Sequence, residues 1–215
     1  MAKSLGNFTS LDDLISTSDP RAFRLLVMRS HYRSPIEVTK VEISDATDAL
    51  GRLDFLARRV NEVALDLGVD LLGADGTMNS SAYQDLGVTL DPIIIDEFKV
   101  AMDNDLDTPK ATSIIFENIR AANTLLDTSE DTHDQSTLKS GLSKAISTLE
   151  IASSLGLYPK IDNSIAPPNV DHLVKERERA RSDRDFDRAD KMRQEILELG
   201  WVVEDRASVV RAHNQ

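Results

Sequence analysis

Hydrophobic positions along this chain recur mostly at helical spacing. From Ile43 to Leu67, the residues Ala46, Leu50, Leu53, Ala57, Val60, Ala64 and Leu67 step by 4, 3, 4, 3, 4 and 3, which is the stripe of a long amphipathic helix packed on partners. Leu138, Leu142, Ala145, Leu149 and Ala152 repeat the pattern before Gly156, a stop signal. Asp19-Pro20, Asp91-Pro92 and Thr108-Pro109 each join a capping residue to a first-turn proline. They open helices expected to bury Phe23, Leu26 and Val27; Ile95, Phe98 and Met102; and Ala111, Ile115, Ala122 and Leu125, the last helix running to about Leu126. A short leading helix capped by Thr9 or Ser10 carries Leu11, Leu14 and Ile15. Between these segments, Gly68 to Leu90 and the acidic run Thr128 to Gln135 read as loops. Several one-sided helices with short connections predict an antiparallel helical bundle.

After Gly156 the pattern changes. Leu157 to Asn169 holds three prolines and little periodicity, the signature of a linker. Two helices follow, about Val170 to Ser182 and Asp185 to Leu199, the second with the stripe Phe186, Ala189, Met192 and Ile196. Trp201 to Val203 and Ser208 to Val210 read as two short strands, so the tail is expected to be a small α+β module. The division expected is 1–40 as a leading loop with connector helices, 41–156 as the bundle, 157–169 as the linker and 170–215 as the terminal module.

Composition narrows the functional classes. No cysteine is present, so disulfide frameworks and thiolate zinc sites are excluded. His31, His133, His172 and His213 have no metal-ligand spacing, and no metal is expected. No apolar run reaches the roughly 20 residues that span a bilayer, so no membrane partner and a cytoplasmic location are expected. The net charge of −12 argues against a broadly electrostatic nucleic-acid binder. That charge is unevenly placed: residues 170–215 carry 10 Lys and Arg against 11 Asp and Glu, whereas residues 1–169 carry 15 against 26.

The balanced tail holds the most suggestive chemistry. In Glu176 to Arg193, arginines 177, 181, 184, 188 and 193 alternate with aspartates 183, 185, 187 and 190 around one aromatic, Phe186. Guanidinium forks, carboxylate acceptors and a ring face are what unpaired bases need for hydrogen bonding and stacking. The same residues could instead lace a solvated helix pair with ion pairs worth a few tenths of a kcal/mol each. At the other end, Lys3, Ser4, Gly6 and Asn7 form a loop able to approach phosphate.

Three separated stretches resemble the C-terminal half of cysteinyl-tRNA synthetase, a class I aminoacyl-tRNA synthetase. MAKSLGNF is similar to the tail of the KMSKS loop, with Ala2 where a serine is usual. Asp19-Pro20 through His31-Tyr32-Arg33-Ser34-Pro35 is similar to that family's DP and HYRSP segment. Ala101 to Pro109, together with the tail's AR, DF and AD pairs and the ending LGWVVED, completes the match. The resemblance covers nearly the whole chain in the family's order. It departs at Arg206 to Gln215, which lack a Gly-Thr-x-Trp ending.

The resemblance implies a mainly α fold of the anticodon-binding-domain type, and tRNA-Cys as partner. Lys3 and Ser4 fall on the Lys-Ser that stabilises ATP phosphates, while Arg181, Phe186, Asp190 and Asp205 fall on anticodon-contacting positions. The parent reaction is ATP-dependent attachment of cysteine to tRNA through cysteinyl adenylate. Its nucleotide-binding domain, with the HIGH signature and zinc ligands, is not among these residues, so this chain is expected to be inactive alone and to have that domain as a partner. A cysteine ligase acting on a small amine, or a freestanding tRNA-binding or scaffold protein, are the alternatives.

Overall fold

The computed structural model describes residues 11, 16–73, 75–79, 81–161, 167–203 and 210–212. Most of the leading helix expected near Leu11 therefore lies outside the described residues. The chain divides into two compact units, Met1–Ile161 and Asp162–Gln215.

Six helices with described bounds build the first unit: α1 (Pro20–Met28), α2 (Lys40–Asp66), α3 (Ala82–Asp85), α4 (Pro92–Asp103), α5 (Thr108–Thr132) and α6 (Gln135–Ser154). Each long helix starts on a polar cap that satisfies amides left unpaired at a helix N-terminus. Asp19, Asp91, Asp107 and Asp134 accept from the first-turn N–H groups of α1, α4, α5 and α6. Thr39 and Glu42 form a reciprocal capping box, so α2 begins three residues before the apolar stripe does. The cap of α5 is Asp107, with Thr108 already helical.

The two regular stripes are the core. Ala46, Leu50, Leu53, Ala57, Val60 and Ala64 on α2, and Leu142, Ala145, Leu149 and Ala152 on α6, are all at most 1 % exposed. Leu67, the last member of the first stripe, instead caps the helix and is 54 % exposed. Phase errors of one or two positions occur in α1, α4 and α5. Val27 is exposed while Leu25 is buried, and Ile94 and Ala101 on α4 sit deeper than Ile95, Phe98 and Met102. On α5, Leu126 is buried instead of Leu125.

The acidic run expected as a loop continues α5 to Thr132, and the turn falls at His133 in the left-handed region, φ +53°. Arg59 of α2 explains this extension. Its side chain, only 8 % exposed, binds Asp127 at 2.8 Å and Glu130 at 2.7 Å, so two carboxylates of this stretch are neutralised. No glycine or proline interrupts residues 127–132. The α5–α6 hairpin closes tightly at Gly141, where an added Cβ would lie 3.0 Å from Leu126 Cδ2.

Residues 68–90 wrap the bundle with a Leu72–Met78 bridge and α3, burying Leu71, Leu72, Ala82, Leu86 and Val88. Gly76 (φ +77°) passes so close to Pro159 that a Cβ would stand 1.9 Å from its carbonyl oxygen. Gly76→Ala is therefore expected to lift this loop and lower stability by about 3 kcal/mol, from left-handed strain and the backbone clash. Urea unfolding checks it; a loss below about 1 kcal/mol would show that the loop shifts freely.

The His31-Tyr32-Arg33 segment is fastened to the α4–α5 turn. Tyr32 Oη donates to Asp105 at 2.7 Å, Arg33 pairs with Asp105 at 3.3 Å and lies over the Tyr32 ring, and His31 stacks on that same ring. The connector expected over 1–40 thus shares one unit with the bundle.

The second unit holds α7 (Pro168–Ser182), α8 (Phe186–Glu198) and the antiparallel strands β1 (Trp201–Val203) and β2 (Val210–Ala212), with Trp201 opposite Ala212. The second strand lies two residues later than the hydrophobic pattern predicts. Val170, Val174, Ile196 and Val203 form a small core, with Leu173 and Trp201 against it. Phe186, expected in the apolar stripe of α8, is 62 % exposed and takes no part in that core.

Candidate nucleic-acid interface

The arginine-aspartate stretch sorts into structural pairs and outward-facing groups. Glu176 on α7 accepts from Arg179 at 2.8 Å and from Arg188 of α8 at 2.6 Å, clasping the two helices. Lys175 pairs with Asp171 one turn away. Arg177 is buried. For Lys175, Glu176, Arg179 and Arg188 the ion-pair reading of the sequence holds. Asp185 has a backbone task, accepting from the Arg188 N–H as the cap of α8. The turn between the helices closes through Arg184 at φ +59° and an Asp185 N–H bond to the Ala180 carbonyl at 2.8 Å.

A different set faces outward on α8. Phe186, Asp190, Arg193 and Leu197 follow one another by four, three and four residues, so they share one helix face. Asp190, Arg193, Gln194, Leu197, Trp201 and Val203 line an open cavity of about 300 Å³, at the small end of the range for ligand pockets. Among the described residues, no hydrogen bond or ion pair occupies the Asp190 carboxylate or the Arg193 guanidinium. The cavity therefore offers an acceptor, a planar donor, an amide that is both, and the indole surface of Trp201. Phe186 presents its ring one turn away, at the N-terminus of α8.

The sequence-predicted residues are distributed as follows. Asp190 lines the cavity, Phe186 stands on the same helix face, and Arg181 is exposed in the last turn of α7 with an interaction of its own. Asp205, Lys3 and Ser4 lie outside the described residues. Sequence reasoning missed Gln194 and Trp201 as site residues. The spacing of Asp190 and Gln194 could have pointed to the first. Trp201, the sole tryptophan, carried a strand signal and a place in the LGWVVED ending. Among the described residues no group of three or more His, Asp or Glu is placed to hold a metal ion, and no helix is long and apolar enough to cross a membrane.

Comparison with known proteins bears on these same segments. Residues 166–211 match the model of the cysteinyl-tRNA ligase anticodon binding domain, so the cavity falls inside it. Residues 97–158, from within α4 to beyond α6, match the DALR domain, and residues 1–48 match the class I (C) tRNA synthetase catalytic domain. Among curated proteins, the cysteine–tRNA ligase of Clavibacter michiganensis is 32 % identical over 95 % of this chain and 41 % of the relative. Those of Oenococcus oeni and Pediococcus pentosaceus are 31 % and 29 % identical, over 97 % and 95 % of this chain and 41 % and 40 % of the relatives. The chain thus spans about two fifths of the length of the curated relatives it matches. Three family matches in consecutive order, together with relatives aligned along almost all of its residues, place the chain in the cysteine–tRNA ligase family.

Proposed function

We propose that this chain is the tRNA-binding part of a cysteine–tRNA ligase and that its Asp162–Gln215 unit reads the tRNA-Cys anticodon. The observation that carries the reading is the α8 face, where, among the described residues, Asp190 and Arg193 have no ion pair and line a cavity with Trp201, beside an exposed Phe186 ring. Buried or paired, these groups would be structural; open to solvent, they match the edges and faces of splayed bases. Arg181 and Asp205 complete the proposed contact set, Arg181 by its place at the end of α7 and Asp205 by the family resemblance.

The parent activity would be cysteine activation by ATP followed by transfer to tRNA. Lys3 and Ser4, by resemblance to the KMSKS loop, would face the ATP phosphates, where a cation offsets charge developing on departing pyrophosphate. The nucleotide-binding domain is a partner in this reading, and zinc would belong to that domain.

Titrating the chain with fluorescent anticodon stem-loops tests the proposal. A GCA loop is expected to bind at least about tenfold more tightly than a scrambled loop, since one well-placed pair discriminates by about 1–3 kcal/mol. Equal affinity for both would refute anticodon reading.

A further inference from the structure

Arg29 follows the last turn of α1, Arg52 stands on α2, and both guanidinium groups lie over the ring of Phe116 on α5, 5.5 and 5.4 Å from its centroid. One aromatic face attracts a cation. Two cations on one ring repel each other as well. Partial burial, and then the charge of Arg52, disfavour the charged form of Arg29, and Asp45 offsets only part of this. Neither arginine forms an ion pair among the described residues. Arg120, exposed one turn further along α5 and likewise unpaired, adds a third positive charge to that helix face.

What sets the pair apart is that two guanidinium groups share one ring in a unit rich in carboxylates. Residues 1–169 carry 26 acidic against 15 basic residues, and several cations of the first unit have found carboxylates. Arg21 pairs with Asp19 and Asp54, Arg59 with Asp127 and Glu130, Lys144 with Asp91, and Lys160 with Asp19. With acceptors in excess, two arginines held together without one form a site that an incoming anion completes.

We propose that Arg29 and Arg52, seated on Phe116, bind phosphodiester groups of an RNA backbone. The site gives the acidic Met1–Ile161 unit its own hold on nucleic acid. Identification of the anion as RNA phosphate rests on the tRNA reading above. A guanidinium lying over a ring keeps its N–H edge for an anion, and its fork matches two phosphate oxygens. Such a contact positions the RNA and reads no sequence.

The test uses the whole 215-residue chain, with a full-length tRNA-Cys transcript, the same transcript with a scrambled anticodon, and the cognate stem-loop. Arg29→Gln/Arg52→Gln is expected to weaken both transcripts about tenfold and to make log K against log salt shallower by about 2. The ratio between cognate and scrambled transcripts stays unchanged. Arg52→Gln alone, at an exposed position that cannot disturb the core, makes the slope shallower by about 1. Unaltered affinity and slope in these variants, while the parent chain still prefers the cognate stem-loop, overturns the phosphate site and leaves anticodon reading intact. A parent chain that binds neither transcript nor stem-loop overturns both. Variants that lose only binding to poly-glutamate, with tRNA binding unchanged, would assign the pair to a protein carboxylate and overturn the RNA assignment.

Discussion

Arg21→Ala is expected to destabilise the Met1–Ile161 unit by about 3–5 kcal/mol, the cost of removing one partner from a buried ion pair. For a chain of this size that is a fall in Tm on the order of 6–20 °C. The Arg21 side chain forks onto both Asp54 oxygens at 2.7 and 2.9 Å, reaches Asp19 at 2.8 Å, and donates to the Tyr158 carbonyl at 2.8 Å. Asp54 also accepts from the Lys160 N–H at 2.8 Å. One guanidinium thus joins the start of α1, the middle of α2 and the strand of chain leaving α6. Without it, Asp54, 7 % exposed, would keep a charge with one remaining donor. Arg21→Met with Asp54→Leu should cost less than Arg21→Ala alone, because no unmatched charge is left behind. Calorimetry of the three proteins decides; a single-variant loss under about 1 kcal/mol would show that water replaces the network.

The same network sets an acid response. Burial by itself would raise the Asp19 carboxyl, but hydrogen bonds from Arg21 and Lys160 outweigh it and bring its pKa to about 2 from the ordinary 3.8. A carboxylate lowered on folding contributes its full stability above its unfolded value, near 4, and loses it as pH falls through 2. Asp19→Asn should therefore lower stability at neutral pH and flatten its decline between pH 4 and 2.

The second large effect is expected in tRNA recognition. Asp190→Asn should weaken the cognate stem-loop by about 10- to 100-fold while changing a scrambled loop little, because half of the acceptor becomes a donor opposite a base donor. Phe186→Ala should weaken every loop by a similar factor, about 1–3 kcal/mol, since stacking on a ring does not discriminate bases strongly. The contrast between the two profiles is the informative result. If Asp190→Asn weakens all loops equally, the carboxylate orders the cavity and does not read a base. Neither residue belongs to the small core of the second unit, so unfolding should not account for the losses.

Helix periods in this sequence are a dependable guide where they are long. The α2 and α6 stripes predict the buried faces almost residue by residue because about seven turns on α2 and more than five on α6 average out a single deviation. In α1 and α4, two or three apolar neighbours permit a shift of one position, and packing against α2 and α5 chose Leu25 and Ile94. Local charge misled at residues 128–132. An acidic run without a partner reads as loop, and Arg59, some seventy positions away, supplies the partner. The capping box at Thr39 and Glu42 was present in the sequence and went unread because the hydrophobic stripe starts later.

At the candidate site, residue types were legible and their allotment was not. Alternation of Arg and Asp from 176 to 193 specifies a charged helix pair, but nothing local tells which arginines serve Glu176 and which remain open. Phe186 illustrates the point: its spacing fits the stripe of Ala189 and Ile196, yet it lies ten residues, nearly three turns, ahead of Ile196, the α8 member of the core formed with Val170, Val174 and Val203. With no core residue above it, the ring faces solvent.

Taken alone, the order of amino acids determined the helices, most of their caps and the family to which the chain is related, because each of these depends on neighbours within a few turns or on motifs read linearly. Tertiary contact decided the joining of Arg29 to Arg52 across Phe116, the neutralisation of Asp127 and Glu130, and the meeting of Asp190 with Trp201 in one cavity. Those groups come from different elements, and charge or ring partners far apart in the chain are selected only when helix faces pack.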